Sequence, residues 1–483
     1  MGSSPQVSIP PSDYPQIIQG GMGAGVSSWR LARAVSKTGQ LGVVSGTALD
    51  NIFVRRLQDG DPGSHIRRAL DHFPFPPMAE AIWQKYFNPG GKAPMESYPA
   101  LPMHTEKGPR ELVELCIVAN YVEVTLARIG HDHPVGINYL EKIQIPHLPS
   151  IYGAMLAGVD YILMGAGIPA KIPGILDRYV QHESATYPLQ VIGAQPGEAT
   201  SLQFDPQEYI PLSLPPLKRP KFLAIVASHV LAATLAKKSN GRVDGFIVEG
   251  PTAGGHNAPP RGQQRLSEAG EPVYGDRDEV DLGKMREIGL PFWLAGGFGR
   301  PGRLVEALAL GAAGVQVGTA FAFCAESSLL GDHKRTLIDQ ARRGEAHIFT
   351  DPLASPTGFP FKVARLDGSV SEADVYAARP RICDLGYLRE AYRTADGTVG
   401  FRCAGEPVTT YLSKGGKRED TEGRKCICNA LVANIGQAQV RAGKHVEPAL
   451  VTSGDDLHSI AQFLPPDASS YTASDVIARL LRD

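Results

Sequence analysis

Residues Glu249 to His256, Glu-Gly-Pro-Thr-Ala-Gly-Gly-His, set a carboxylate and an imidazole seven positions apart across small side chains. Histidine moves protons well near neutral pH, and a stretch this slender can lie flat on a planar ring. A lone histidine is more often a cap or a solvent-exposed loop residue. The others among the chain's 13 histidines are read that way. Two further stretches, Gly296-Gly297 and Gly318-Thr319, offer backbone N–H groups that can approach phosphate oxygens, with the Thr319 hydroxyl as an extra donor. Tight turns also need glycine, and a sugar phosphate fits such a cradle as well as a nucleotide does. Cys383, Cys403, Cys426 and Cys428 cluster late in the chain, whereas Cys116 and Cys324 stand earlier. Four thiols can hold zinc in a tetrahedron or an iron–sulfur cluster. Only Cys426 and Cys428 are close in sequence, and ordinary buried cysteines are an equal alternative.

Whatever these residues do, something must bring them together. Short apolar runs recur along the chain, each ending in small residues: 16–18, 41–44, 134–137, 161–164, 222–226, 246–248, 292–294 and 315–317. Continuous apolar runs are what strands buried on both faces look like. Helical text lies between them. Val26, Trp29, Ala32 and Val35 form one stripe, and Leu304, Ala307 and Leu308 form another between Pro301 and Gly311. Eight strand–helix repeats predict an α/β fold, a closed (β/α)₈ TIM barrel, with an open doubly wound sheet as the alternative. In such a barrel the loops after the strands carry the chemistry. The Glu249–His256 stretch and both glycine pairs sit there.

Two interruptions, at about 51–112 and 188–220, are too long for ordinary connections. The first reads as a lid or accessory subdomain, and Leu189–Ile192 in the second reads as an extra strand. The expected division is a barrel over 13–330, with those insertions, and a C-terminal accessory region over 331–483. Its aromatic residues Phe359, Phe361, Tyr387, Tyr392 and Phe401 predict that it docks on the barrel and shapes the entrance.

The 483 residues are 43% hydrophobic and 20% charged, with a formal net charge of −2. This balance gives no electrostatic reason to expect nucleic acid or an anionic membrane as partner. No apolar run approaches the length of a membrane span. Met1 to Ser12 lacks the basic-then-apolar order of a secretory signal, and six cysteines do not make a disulfide scaffold. A cytoplasmic protein acting on a small molecule is expected, with homodimerisation left open.

Gln19-Gly20-Gly21-Met22, the Gly254-Gly255-His256 loop, Leu294-Ala295-Gly296-Gly297 and Gly314-Val315-Gln316-Val317-Gly318-Thr319 together resemble the nitronate monooxygenase (2-nitropropane dioxygenase) family. That family shares an FMN-dependent barrel superfamily with the flavin enoyl-acyl-carrier-protein reductases. The resemblance spans roughly residues 15–330, apart from the insertions. It implies FMN contacts from Met22, Asn138, Glu249, Gly254, Gly297, Gln316, Gly318 and Thr319, with Gly20, Gly21, Gly255 and Gly296 beside them. It also implies His256 as catalytic base. FMN rather than FAD is expected because no Gly-x-Gly-x-x-Gly unit opens a βαβ fold. Three departures stand out. Gly20-Gly21 replaces the usual Ala-Pro and looks more like the enoyl reductases, Glu249 stands where Gln is common, and the region after Gly331 has no counterpart in a minimal member. The implied activity is oxidation of small carbanions such as nitronates. A flavin-dependent enoyl-thioester reductase drawing on NAD(P)H is the second reading, and a non-catalytic flavin-binding scaffold is the third.

Overall fold

A computed structural model describes residues 14–211 and 213–482; the leader reading of Met1 to Ser12 and the first barrel residue, 13, lie outside them. Each of the eight apolar runs forms a strand: β1 Ile17–Gln19, β2 Gly42–Ser45, β3 Val135–Leu140, β4 Tyr161–Gly165, β5 Lys221–Val226, β6 Gly245–Glu249, β7 Phe292–Ala295 and β8 Gly314–Val317. All pair in parallel, each with its sequence neighbour, and β8 pairs back onto β1. A parallel bridge between Ile18 and Leu41 joins β1 to β2 and closes the ring. The fold is a (β/α)₈ barrel.

Gln19 explains why so short a bridge suffices. Its side-chain Oε1 accepts from the Val43 N–H at 3.0 Å, and its Nε2 donates to the Val43 carbonyl at 3.1 Å. A buried amide thus replaces ladder bonds that the strand backbones do not make. The glutamine of Gln-Gly-Gly-Met therefore has a structural task of its own.

Side chains alternate along each strand. One set fills the barrel interior with Ile18, Val43, Leu163, Leu223, Ile247 and Trp293, all fully buried. The other set meets the outer helices. Helix Trp29–Ser36 presents Trp29, Ala32 and Val35 to that layer, and helix Arg303–Ala309 presents Leu304 and Ala307, as the two stripes predict. The 19-residue helix Arg110–Arg128 carries the first insertion, which folds as helices Leu49–Gln58, His65–Leu70 and Pro76–Tyr86 packed beside it. In the second insertion, Ala185–Leu189 pairs antiparallel with Thr200–Phe204. Val191–Ile192 pairs in parallel with Ala391–Tyr392, far along the chain.

The region after Gly331 is woven into the barrel mouth. Strand Phe361–Ala364 pairs with Ile348–Asp351 on one side and with Gly255–His256 on the other. Phe361 and Tyr387 are buried, while Phe359, Tyr392 and Phe401 are half-buried. Leu385, Tyr387 and Val432 share a core with Ala24, Ala48, Ile52 and Ile143 from the barrel loops. The last helix, Ala473–Leu481, packs against Trp29–Ser36. Among the described residues no helix is long and apolar enough to cross a membrane.

Candidate active site

One large cavity opens at the C-terminal ends of the strands. All thirteen barrel residues singled out from the sequence line it: Gly20, Gly21, Met22, Asn138, Glu249, Gly254, Gly255, His256, Gly296, Gly297, Gln316, Gly318 and Thr319. Strand alternation explains the floor. Asn138, Glu249 and Gln316 belong to the inward-facing set, one layer above the apolar interior, on β3, β6 and β8. Asn138 donates through Nδ2 to the Gly21 carbonyl at 3.1 Å. Its Oδ1 and the Oε1 of Gln316 are buried without a hydrogen-bond partner among the described residues. Buried polar atoms without partners are costly, and two of them on one cavity floor suit a polar ligand.

Glycine at the rim answers to geometry. Gly296 and Gly297 adopt φ of +82° and +76°, the left-handed region that other residues avoid. A Cβ on Gly254 would stand 2.7 Å from the Gly454 nitrogen, so the histidine stretch and the C-terminal region meet backbone to backbone. Thr319 takes part in the same junction, its Oγ1 accepting from the Gly454 N–H at 3.0 Å while the hydroxyl proton stays free to donate.

His256, read from the sequence as following a loop of small residues, is held in extended backbone. It sits on a two-residue strand opposite Phe361, with their rings 4.7 Å apart. Its Nε2 lies 2.7 Å from Ser355 Oγ, and Ser355 Oγ is 2.8 Å from Thr357 Oγ1. Burial pulls the imidazole down to about 4, so it is neutral at physiological pH. Burial thus favours the neutral imidazole at the position read from the sequence as a catalytic base.

Burial has the opposite effect on Glu249, whose carboxyl is pushed up to about 8 from 4.5. A protonated carboxyl offers one donor and one acceptor, as an amide does. Protonated Glu249 therefore presents the cavity with both a donor and an acceptor. Because its folded-state value lies above the unfolded one, the protein sheds stability as pH rises from about 4.5 through about 8. We expect Glu249→Gln to flatten that decline. Melting temperatures of the ligand-free proteins between pH 5 and 9 check this, and parallel curves would refute it.

The sequence reading expected Phe361 and Tyr387 in a region that shapes the entrance but named none of the other residues of the cavity's far wall. Phe361, Tyr387, Leu388, Ile427, Leu431 and Val451 supply an apolar surface, and Thr452, Ser453, Gly454 and Asp456 border the glycine cradle. Asp456 holds the β7 loop by accepting from the Gly299 N–H at 3.2 Å and from Arg300 Nε at 2.9 Å. Among the described residues, none between Asn51 and Leu112 lines the cavity.

Cys383, Cys403, Cys426 and Cys428 surround a second, small cavity, and Cys428 lines the large one as well. Among the described residues, Asp50, His104 and Cys116 are the one trio of metal-ligating side chains whose ligand atoms all lie within 4.8 Å. Nothing in the sequence spacing signalled that trio. It belongs to a buried polar network in which His104 Nε2 lies 2.8 Å from Asp50 Oδ2 and Tyr387 donates to Asp50 Oδ1.

Comparison with known proteins bears on the barrel. Residues 179–347 match the family model described as nitronate monooxygenase. A nitronate monooxygenase of Paraburkholderia phytofirmans is 30% identical over 190 residues, covering 37% of this chain and 47% of that protein. The matched part is thus about half the relative's length. Among solved structures, FabK from Thermotoga maritima covers 97% of this chain and 92% of its own at 16% identity, with a TM-score of 0.46. The enoyl reductase domain of MlnA from Bacillus amyloliquefaciens covers 97% and 94% at 13% identity, with a TM-score of 0.47. The match to the nitronate monooxygenase family model, residues 179–347, falls on the part of the barrel that holds the histidine stretch and both glycine-rich strand ends.

Proposed function

We propose that this protein is an FMN-dependent oxidoreductase that oxidises small carbanionic substrates, as nitronate monooxygenases do. The observation that carries this reading is the convergence on one cavity of a glycine cradle, a partnerless polar floor and a buried histidine. In this assignment the backbone of Gly296, Gly297, Gly318 and Thr319 holds the phosphate. Asn138, Glu249 and Gln316 meet the polar edge of the ring. Bound FMN supplies two-electron redox chemistry and a route to oxygen.

His256 acts as a neutral hydrogen-bond donor. A substrate that arrives as a preformed anion needs no proton removed, only an N–H to orient its oxygen. An imidazole held near 4 by burial is suited to that task and is a weak base. Ser355, 2.7 Å from Nε2, fixes the ring.

A second reading, reduction of an enoyl thioester with NAD(P)H as donor, has two observations in its favour. The Gly20-Gly21-Met22 turn resembles that group, and the apolar wall of Phe361, Leu388, Ile427, Leu431 and Val451 suits an acyl chain. There the same His256 N–H would polarise the thioester carbonyl. Anaerobic mixing of the flavin-loaded protein with propyl nitronate or with NADPH decides between the two. We expect the flavin absorbance to bleach with the nitronate. Bleaching by NADPH alone would transfer the assignment to the reductase, and a colourless protein that takes up no FMN would refute both.

A further inference from the structure

The four C-terminal cysteines come from separate segments. Cys383 precedes the hairpin Glu390–Arg402, Cys403 follows its second strand, and Cys426 and Cys428 flank the start of helix Ile427–Ala433. The fold nonetheless gathers all four around one small cavity, closed by Pro356, Leu385, Leu388 and Asn429. All four thiols are free.

Spacing selects among the groups they can hold. Zinc–sulfur bonds of about 2.3 Å place tetrahedral thiolates about 3.8 Å apart. No three of these sulfurs lie within 4.8 Å of one another, so the set is too open for a single zinc ion. A [4Fe–4S] cluster places a cube of iron and sulfide between its four thiolates and spreads them more widely. The surroundings also suit an anionic cluster. Arg389 is anchored beside this cavity, its Nε donating at 3.1 Å to the carbonyl of Gly386, which lines it. Glu406, the nearby carboxylate, is paired with Lys414 at 2.8 Å. Cys403 and Cys426 are buried, and Cys383 and Cys428 are half-buried.

We propose that Cys383, Cys403, Cys426 and Cys428 ligate a [4Fe–4S] cluster, each thiol losing its proton to become a thiolate ligand. Because Cys428 lines both cavities, this one-electron redox group stands at the wall of the large cavity. The proposal does not depend on what occupies that cavity, and its test reads iron and sulfide rather than turnover.

The full chain, produced and purified without oxygen and reconstituted with ferrous iron and sulfide, is assayed for both elements whatever its flavin content. About four irons and four acid-labile sulfides per chain are expected, with a paramagnetic signal after dithionite reduction. Cys403→Ala and Cys426→Ala are expected to lose both elements, while Cys324→Ala, which alters a cysteine outside the cavity, keeps them. The wild-type measurement stands even if a variant fails to fold. Bound zinc, iron without sulfide, absence of metal, or full iron in Cys403→Ala would each overturn the proposal.

Discussion

His256→Ala is expected to keep its flavin and lose turnover about a hundredfold or more, the usual consequence of removing a positioned donor from a reacting oxygen. Retention follows from position, because the glycine cradle and the polar floor belong to other strands. The pH profile adds a sharper expectation. With the imidazole held to about 4, its neutral form persists throughout the physiological range. Activity that depends on it should fall as pH drops through about 4, not between 6 and 7. His256→Gln, which retains an N–H donor, should recover part of the loss. Steady-state rates on the substrate that bleaches the flavin, from pH 4 to 8, check all three points. Near-normal turnover in His256→Ala would remove His256 from the chemistry.

The largest effect on stability should come from Arg379→Met. Arg379 forms an ion pair with Glu447, and both side chains are almost wholly buried. Removing one partner of a buried pair typically costs about 3–5 kcal/mol, because the remaining charge has lost its compensation. Arg441 Nη2 reaches Glu447 at 3.4 Å, which points to the lower end of that range. The damage should also reach the candidate site. Beyond Glu447 the chain is held by hydrogen bonds from Val370 N–H to the Ala449 carbonyl and from Ala364 N–H to the Val451 carbonyl. It then runs past the cradle at Gly454. Urea unfolding together with flavin titration measures both effects. If Arg379→Met unfolds like wild type, the pair contributes nothing.

The barrel was legible because its strands are buried on both faces and read as largely apolar runs, from Ile17-Ile18 to Phe292-Trp293-Leu294. The cradle was legible because a glycine requirement leaves a direct mark on sequence. Asn138 and Gln316 emerged only through family resemblance, since one polar residue in a strand carries no local signal of what it faces. The pairings that build the far wall were hidden for another reason. His256 opposite Phe361, Ser355 beside His256 and Gly454 against Gly254 and Thr319 are pairings between distant segments, which no local pattern encodes. Burial likewise sets the protonation of Glu249 and His256, and His256 packs against Phe361 of that wall.

The junction of Gly454 with Gly254 and Thr319 also orders events during synthesis. The ribosome delivers residues 252–254 and 319 long before residues 451–456 exist to cover them. A nascent barrel can therefore pair its eight strands early while its mouth still displays Ala24, Ala48, Ile52 and Ile143, side chains that later share a core with Leu385, Tyr387 and Val432. Segments with such late-arriving partners are the ones that aggregate or recruit chaperones. Cofactor capture should follow completion of the C-terminal segment, and chains stalled before residue 451 should leave the ribosome sticky and colourless.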